Sequence, residues 1–150
     1  MNKDFLNKIN LELVNEIKAK YQFDDAKVKT LSEAGKSSVL ASLKQFVMKN
    51  GTTEIEGILL NTIQFEGSQL QTLSFNNFQK DITEKKLLDA DQTKDISAFS
   101  INYLIKQFKE GFQNSGNTKD LDGICKFLDI DKKLLGLVNS PMAKIFGKFF

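Results

Sequence analysis

The chain of 150 residues contains no histidine. That removes the commonest general base near neutral pH and the commonest ligand for zinc, copper or haem. It also contains no arginine, so all 21 of its cations are lysine. Arginine is the bidentate reader of guanine and the preferred fork for phosphate. With a net charge of only +2, the chain offers neither the tool nor the field for specific nucleic-acid recognition. One cysteine, Cys125, excludes an intrachain disulfide and, with no histidine to partner it, a Cys-His nucleophile. One proline and nine glycines are few breakers for this length and favour long helices over a turn-rich β fold.

No apolar run approaches the ~20 residues of a membrane span. The start, Met1-Asn2-Lys3-Asp4-Phe5, meets an acid at once and lacks the apolar core of a signal peptide. A cytoplasmic setting is the expectation. Hydrophobic content of 41% with 27% charged residues is globular composition. At this length one domain buries roughly two thirds of its unfolded surface without disulfides or metals.

What is present is helical periodicity. Leu6, Ile9, Leu13 and Ile17 form one stripe, widened by Phe5 and Val14, and predict a helix over 4–21. Asp24 or Asp25 opens a second, carrying Val28, Leu31, Gly35, Val39, Leu43 and Phe46 and stopped by Asn50-Gly51. The small residues Ala34, Gly35, Ser37 and Ser38 midway along it predict a close helix crossing. Thr53-x-x-Glu56 reads as a capping box for a helix over about 53–62. Ser68 caps a fourth helix with Leu70, Leu73, Phe78 and Ile82 inward. Asp89 or Asp91 starts a fifth, its stripe running through Ile96, Phe99, Leu104, Phe108 and Phe112. After the loop Asn114 to Lys119, Thr118 or Asp120 caps a short helix bearing Leu121, Ile124, Phe127 and Leu128. Asp131 caps a further turn, and Ser140-Pro141 begins a last helix, since proline is pre-organised for the first helical position. The fold class is all-α: one domain over 1–150, a multi-helical bundle of six to eight helices, with 140–150 as a separately docking segment.

One pattern occurs twice. Leu43-Lys44-Gln45-Phe46 leads to Thr52-Thr53-Glu54-Ile55-Glu56-Gly57-Ile58, and Ile105-Lys106-Gln107-Phe108 leads to Thr118-Lys119-Asp120-Leu121-Asp122-Gly123-Ile124. The match points to a weak internal duplication over about 24–63 and 89–129.

Two stretches imitate functional motifs. Gly35-Lys36-Ser37 ends like a phosphate-binding loop, but Thr30 stands where the first glycine belongs and the helical period runs straight through. Thr118, Asp120, Asp122, Gly123 and Asp129 fall at positions one, three, five, six and twelve of a calcium loop, with Asp where the bidentate glutamate is expected. Acids complementing a helix start explain the same residues. Cys125, beside Ile124, is expected inside. The paired acids Asp24-Asp25 and Asp129/Asp131 read as helix starts.

The sequence from Asn77-Phe78-Gln79-Lys80-Asp81-Ile82 through Leu88-Asp89, the helix through Ile96, Ile101 and Leu104, and Asn114 to Gly123 resembles the YidB-like family of small bacterial helical domains of unknown function. Glu33-Ala34-Gly35-Lys36-Ser37 before its leucine-rich run is also similar. The resemblance implies the helical fold and carries no activity, cofactor or site. The chain departs from it at Leu87, where a glycine is expected, and in a tail rich in lysine and phenylalanine rather than glycine.

That tail either docks on the chain's own core or serves as the candidate interaction surface. Met142, Ile145, Phe146, Phe149 and Phe150 make an apolar face beside Lys144 and Lys148, and no acid follows Asp131. The expected function is a non-catalytic helical module acting by protein–protein contact with a partner or a second copy. The alternatives are a peripheral membrane-surface protein using the same Lys/Phe-rich helix and a weak calcium-binding module using Asp120, Asp122 and Asp129. No catalytic residue, cofactor or metal is assigned.

Overall fold

The computed structural model describes residues 3–50 and 53–129. Within them lie six helices and no strand: α1 (Lys3–Lys20), α2 (Asp25–Asn50), α3 (Thr53–Leu59), α4 (Gln69–Glu84), α5 (Ala90–Asn114) and α6 (Leu121–Leu128). The predicted helices after Asp131 and after Ser140 lie outside the described residues.

The two long helices organise the bundle. α2 and α5 pack on each other and each touches both α1 and α4, while α3 lies against α5 and α6 against α2. The predicted stripes form the core: Ile9, Leu13, Ile17, Val39, Leu43, Phe78, Leu104, Phe108 and Phe112 are all essentially inaccessible. Phe99 and Tyr103 lie only half inside, at the margin of their stripe. The close crossing is centred on Gly35. A methyl group there would sit 3.3 Å from Leu104, 3.5 Å from Phe78 and 3.8 Å from Leu13, so α5, α4 and α1 all converge on one turn of α2. Ala34 and Ser38 share the buried face, but Ser37 is exposed, because it falls on the opposite side of the helix.

Caps fix the helix starts. Asp24 Oδ1 accepts from the Lys27 backbone at 2.7 Å, Ser68 Oγ from Gln71 at 3.1 Å, and Asp89 Oδ1 from Gln92 at 2.7 Å, each satisfying a donor that the helix leaves orphaned. The proposed box at Thr53 is displaced. Thr53 is already helical, so it does not stand in the cap position ahead of the helix. Glu54, which is not the box's carboxylate, caps the next helix, its Oε1 accepting from the Gln69 backbone at 3.2 Å.

The stops of α3, α4 and α6 were harder to foresee, because they use no glycine. α3 ends sooner than expected, at a left-handed Asn61 (φ 62°). The Thr62 amide bonds to Gly57 O and the Asn61 amide to Ile58 O, a Schellman pair. Lys86 (φ 53°) ends α4 in the same way, with Leu87 N bonding Ile82 O and Lys86 N bonding Thr83 O. A side chain with a Cβ is disfavoured in that conformation by ~1–2 kcal/mol. Lys86 is exposed, so Lys86→Gly loses no packing. It is expected to stabilise the fold by about 0.5–1 kcal/mol net of glycine's greater unfolded entropy, read as a higher urea midpoint at unchanged slope.

The order of long helix then short helix occurs twice, α2–α3 and α5–α6. Leu43 and Ile105, Phe46 and Phe108, and Ile58 and Ile124 are buried at matching positions. The glycines match in sequence but not in surroundings. A methyl on Gly57 would strike the side chain of Ile63, which follows its helix, whereas one on Gly123 would strike the backbone of Thr118, which precedes it.

Candidate functional site

The seven residues of the predicted interaction surface, Met142 to Phe150, lie outside the described residues. The imitated motifs are all placed, apart from Asp131. Lys36 and its neighbours are in mid-helix, and Thr30 Oγ1 donates to Ala26 O at 3.0 Å one turn back, so no phosphate-cradling turn forms. In the calcium-like stretch Asp120 caps α6. Its Oδ1 accepts from the Gly123 backbone at 3.0 Å and from the Thr118 hydroxyl at 2.6 Å. An eight-residue helix then separates it from Asp129, about 12 Å further along the axis. Asp129 ends that helix in a left-handed conformation (φ 56°) rather than starting another, a correction to its reading as a helix start. Among the described residues no three His, Cys, Asp or Glu side chains come together to hold a metal ion. Cys125 is 4% exposed, packed with the rest of α6.

Lys119 performs a structural task. Its ammonium donates to Phe112 O and, at 3.3 Å, to Ser115 O, and it lies 4.4 Å from the Phe112 ring centre. A cation is thereby held on the orphan carbonyls at the negative end of the α5 dipole. Phe127 of α6 closes the same region, its ring centre 5.6 Å from Phe5 and 5.5 Å from Phe112.

Two tyrosines tie α1 to α5. Tyr21 donates to Asp95 Oδ2 at 2.5 Å, stacks on Phe23 and meets Phe99 edge-on. Tyr103 donates to Glu12 Oε2 at 3.4 Å. Burial pushes the Tyr103 hydroxyl up to about 12, helped by the charges of Glu12 and Glu16. Burial, then the bond to Asp95, raises Tyr21 as well. Folded values above the unfolded one mean that this stability is complete below pH ~10 and is lost as pH climbs through the folded pKa. Thermal scans are therefore expected to show the melting temperature falling between pH 10 and 12, with a shallower fall in Tyr103→Phe and Tyr21→Phe.

The concave feature that the structure adds is an open groove of about 640 Å³ between the turn after α3 and the outer face of α5. Phe65 and Ile105 form its apolar floor, 6% and 3% exposed. Amides rim it, from Asn61 and Gln64 on the turn and Asn102, Gln113 and Asn114 on α5; Glu66, Lys106, Lys109 and Glu110 supply its charges. Its walls are fixed. Gln113 Nε2 donates to Leu59 O at 2.7 Å, Gln71 Nε2 to Asn102 Oδ1 at 3.4 Å, and the Gly67 backbone to Gln71 Oε1 at 2.8 Å. The turn itself is set by left-handed Asn61 and Gly67 (φ 80°). Two carboxylates, two ammonium groups and a ring of amides around an apolar floor make a surface for polar, multipoint contact.

No family model, curated protein or solved structure matches the chain. Among the described residues no helix is long and apolar enough to cross a membrane.

Proposed function

We propose that this chain is a non-catalytic helical interaction module of cytoplasmic setting, a divergent relative of the YidB-like domains, that acts through protein–protein contacts. The observation that carries the reading is the groove beside α5: an apolar floor under a rim of amides and mixed charge is the anatomy of a protein contact face. Small-molecule sites are more enclosed and more apolar. The apolar face from Met142 to Phe150 is the second contact element. With no histidine in the sequence and Cys125 packed inside, the chemistry commonest in catalysis has no carrier.

The test is affinity capture from the native cell with the full chain as bait, followed by rebinding of the captured protein in purified form. Retention is expected to fall with Lys106→Glu/Lys109→Glu or with Phe146→Ser/Phe149→Ser. Retention of nothing, or of proteins indifferent to both pairs of changes, counts against the proposal.

A second reading rests on Lys144 and Lys148 beside the phenylalanines of the same segment, a composition suited to an anionic membrane surface. It requires flotation with anionic vesicles at low salt that is lost on adding salt, and a chain that stays with the soluble fraction at low salt rules it out.

A further inference from the structure

Resting on the protein–protein reading, we infer that the partner at this groove is a second copy of the same chain, related by a two-fold axis. In such a pairing the same patch faces itself, so each residue must find its complement within its own list. The groove meets that condition. It carries two acids, Glu66 and Glu110, and two lysines, Lys106 and Lys109. None of the four is in an ion pair within the described chain, although Lys106 and Glu110 stand one turn apart on α5. A two-fold axis crossing α5 midway between Lys106 and Glu110 runs the two helices antiparallel and sets each of these charges against its opposite in the second copy. The amides of the rim are self-complementary in the same sense, since each is both donor and acceptor.

Shape gives the second argument. The turn that walls the groove carries Ile63, one of two large hydrophobic side chains left exposed among the described residues, at 38%. Ile63 is held over Gly57, where only the missing Cβ leaves room for it. Its side chain lies against Gly57 of α3, outside the groove's lining, and leaves an exposed apolar patch on the turn that walls the groove. Reciprocal insertion places each copy's Ile63 turn over the partner's Phe65 and Ile105, with the charges crossing at the rim.

Sedimentation velocity of the full chain across a concentration series tests this, with two double variants: Lys106→Glu/Lys109→Glu, whose groove is all acidic, and Glu66→Lys/Glu110→Lys, whose groove is all basic. These side chains are exposed or half-exposed, and circular dichroism checks that the fold is kept. The expected results are a wild-type dimer, self-association weakened about tenfold or more in each variant by like-charge contact, and a mixed dimer when the two variants are combined. Added salt is expected to weaken the mixed dimer most. A wild-type monomer at every concentration overturns the inference. So does a dimer indifferent to both variants, and if that dimer is lost in Phe146→Ser/Phe149→Ser, the contact belongs to the C-terminal segment. Either failure leaves the capture of a different protein as an independent test of the broader reading.

Discussion

Replacing Gly123 with alanine is expected to cost about 3 kcal/mol, which for a chain of this size lowers the melting temperature by roughly 6–12 °C. The new methyl would lie 1.6 Å from Thr118 O and 2.6 Å from its carbonyl carbon. Those are backbone atoms, so no side chain can swing aside. The 115–120 loop itself must move, and it carries both the Asp120 cap of α6 and the Lys119 clamp on the end of α5. The sequence-equivalent change, Gly57→Ala, has the exposed side chain of Ile63 as its nearest contact, at 2.3 Å. That side chain can rotate outward, and alanine's better helix propensity, about 1 kcal/mol, offsets part of the cost. A net loss near or below 1 kcal/mol is expected there. Thermal melts of the two variants side by side decide the matter; equal losses would show that the two glycines do the same job.

Phe108→Ala carries the other large effect. The ring is fully buried on α5, with Phe5 of α1 at 6.0 Å and Phe127 of α6 at 6.4 Å, both nearly edge-on. Removing it opens a void where three helices meet, and truncations of this kind cost about 3–5 kcal/mol. Phe99→Ala on the same helix is expected to cost much less, because Phe99 is half-exposed at the margin. Phe108→Leu should recover a large part of the loss by refilling the space. Urea denaturation of the three variants is the measurement, and a loss under about 1 kcal/mol for Phe108→Ala contradicts the packing described.

Helix α5 serves both the core and the groove. One side of this helix buries Leu104, Phe108 and Phe112, while the other presents Asn102, Lys106, Lys109, Glu110 and Gln113 to the groove. Changes at Lys106, Lys109 and Glu110, whose side chains make no hydrogen bond or ion pair among the described residues, are expected to alter association while leaving the melting temperature of the monomer nearly unchanged, since exposed substitutions of this kind usually shift stability by less than about 0.5 kcal/mol.

The helices and their inward faces were determined by the sequence alone. Apolar spacing depends only on 3.6 residues per turn, so Ile9-Leu13-Ile17 and Leu104-Phe108-Phe112 announce both a helix and its buried side before any tertiary contact is known. Ser68 was equally plain and Asp89 was one of two candidates beside Asp91, because a cap is a local bond between a side chain and an amide three residues on. The small residues of α2 announced a close crossing, but only the packed bundle decided that Leu13, Phe78 and Leu104 all meet at Gly35.

Three kinds of feature required the tertiary structure. The ends of α3, α4 and α6 fall on left-handed Asn61, Lys86 and Asp129, and the sequence does not mark which non-glycine residue takes that conformation. The two Gly-Ile segments look alike in sequence and differ in what crosses over them, which depends on loop path rather than residue type. The groove joins Asn61–Glu66 to α5 residues some forty positions later, and polar residues on a solvent face have no periodicity that marks them for a shared site. Local bonds and periodicity write themselves into the sequence, whereas a site assembled from distant, individually ordinary polar residues exists only once the chain has closed.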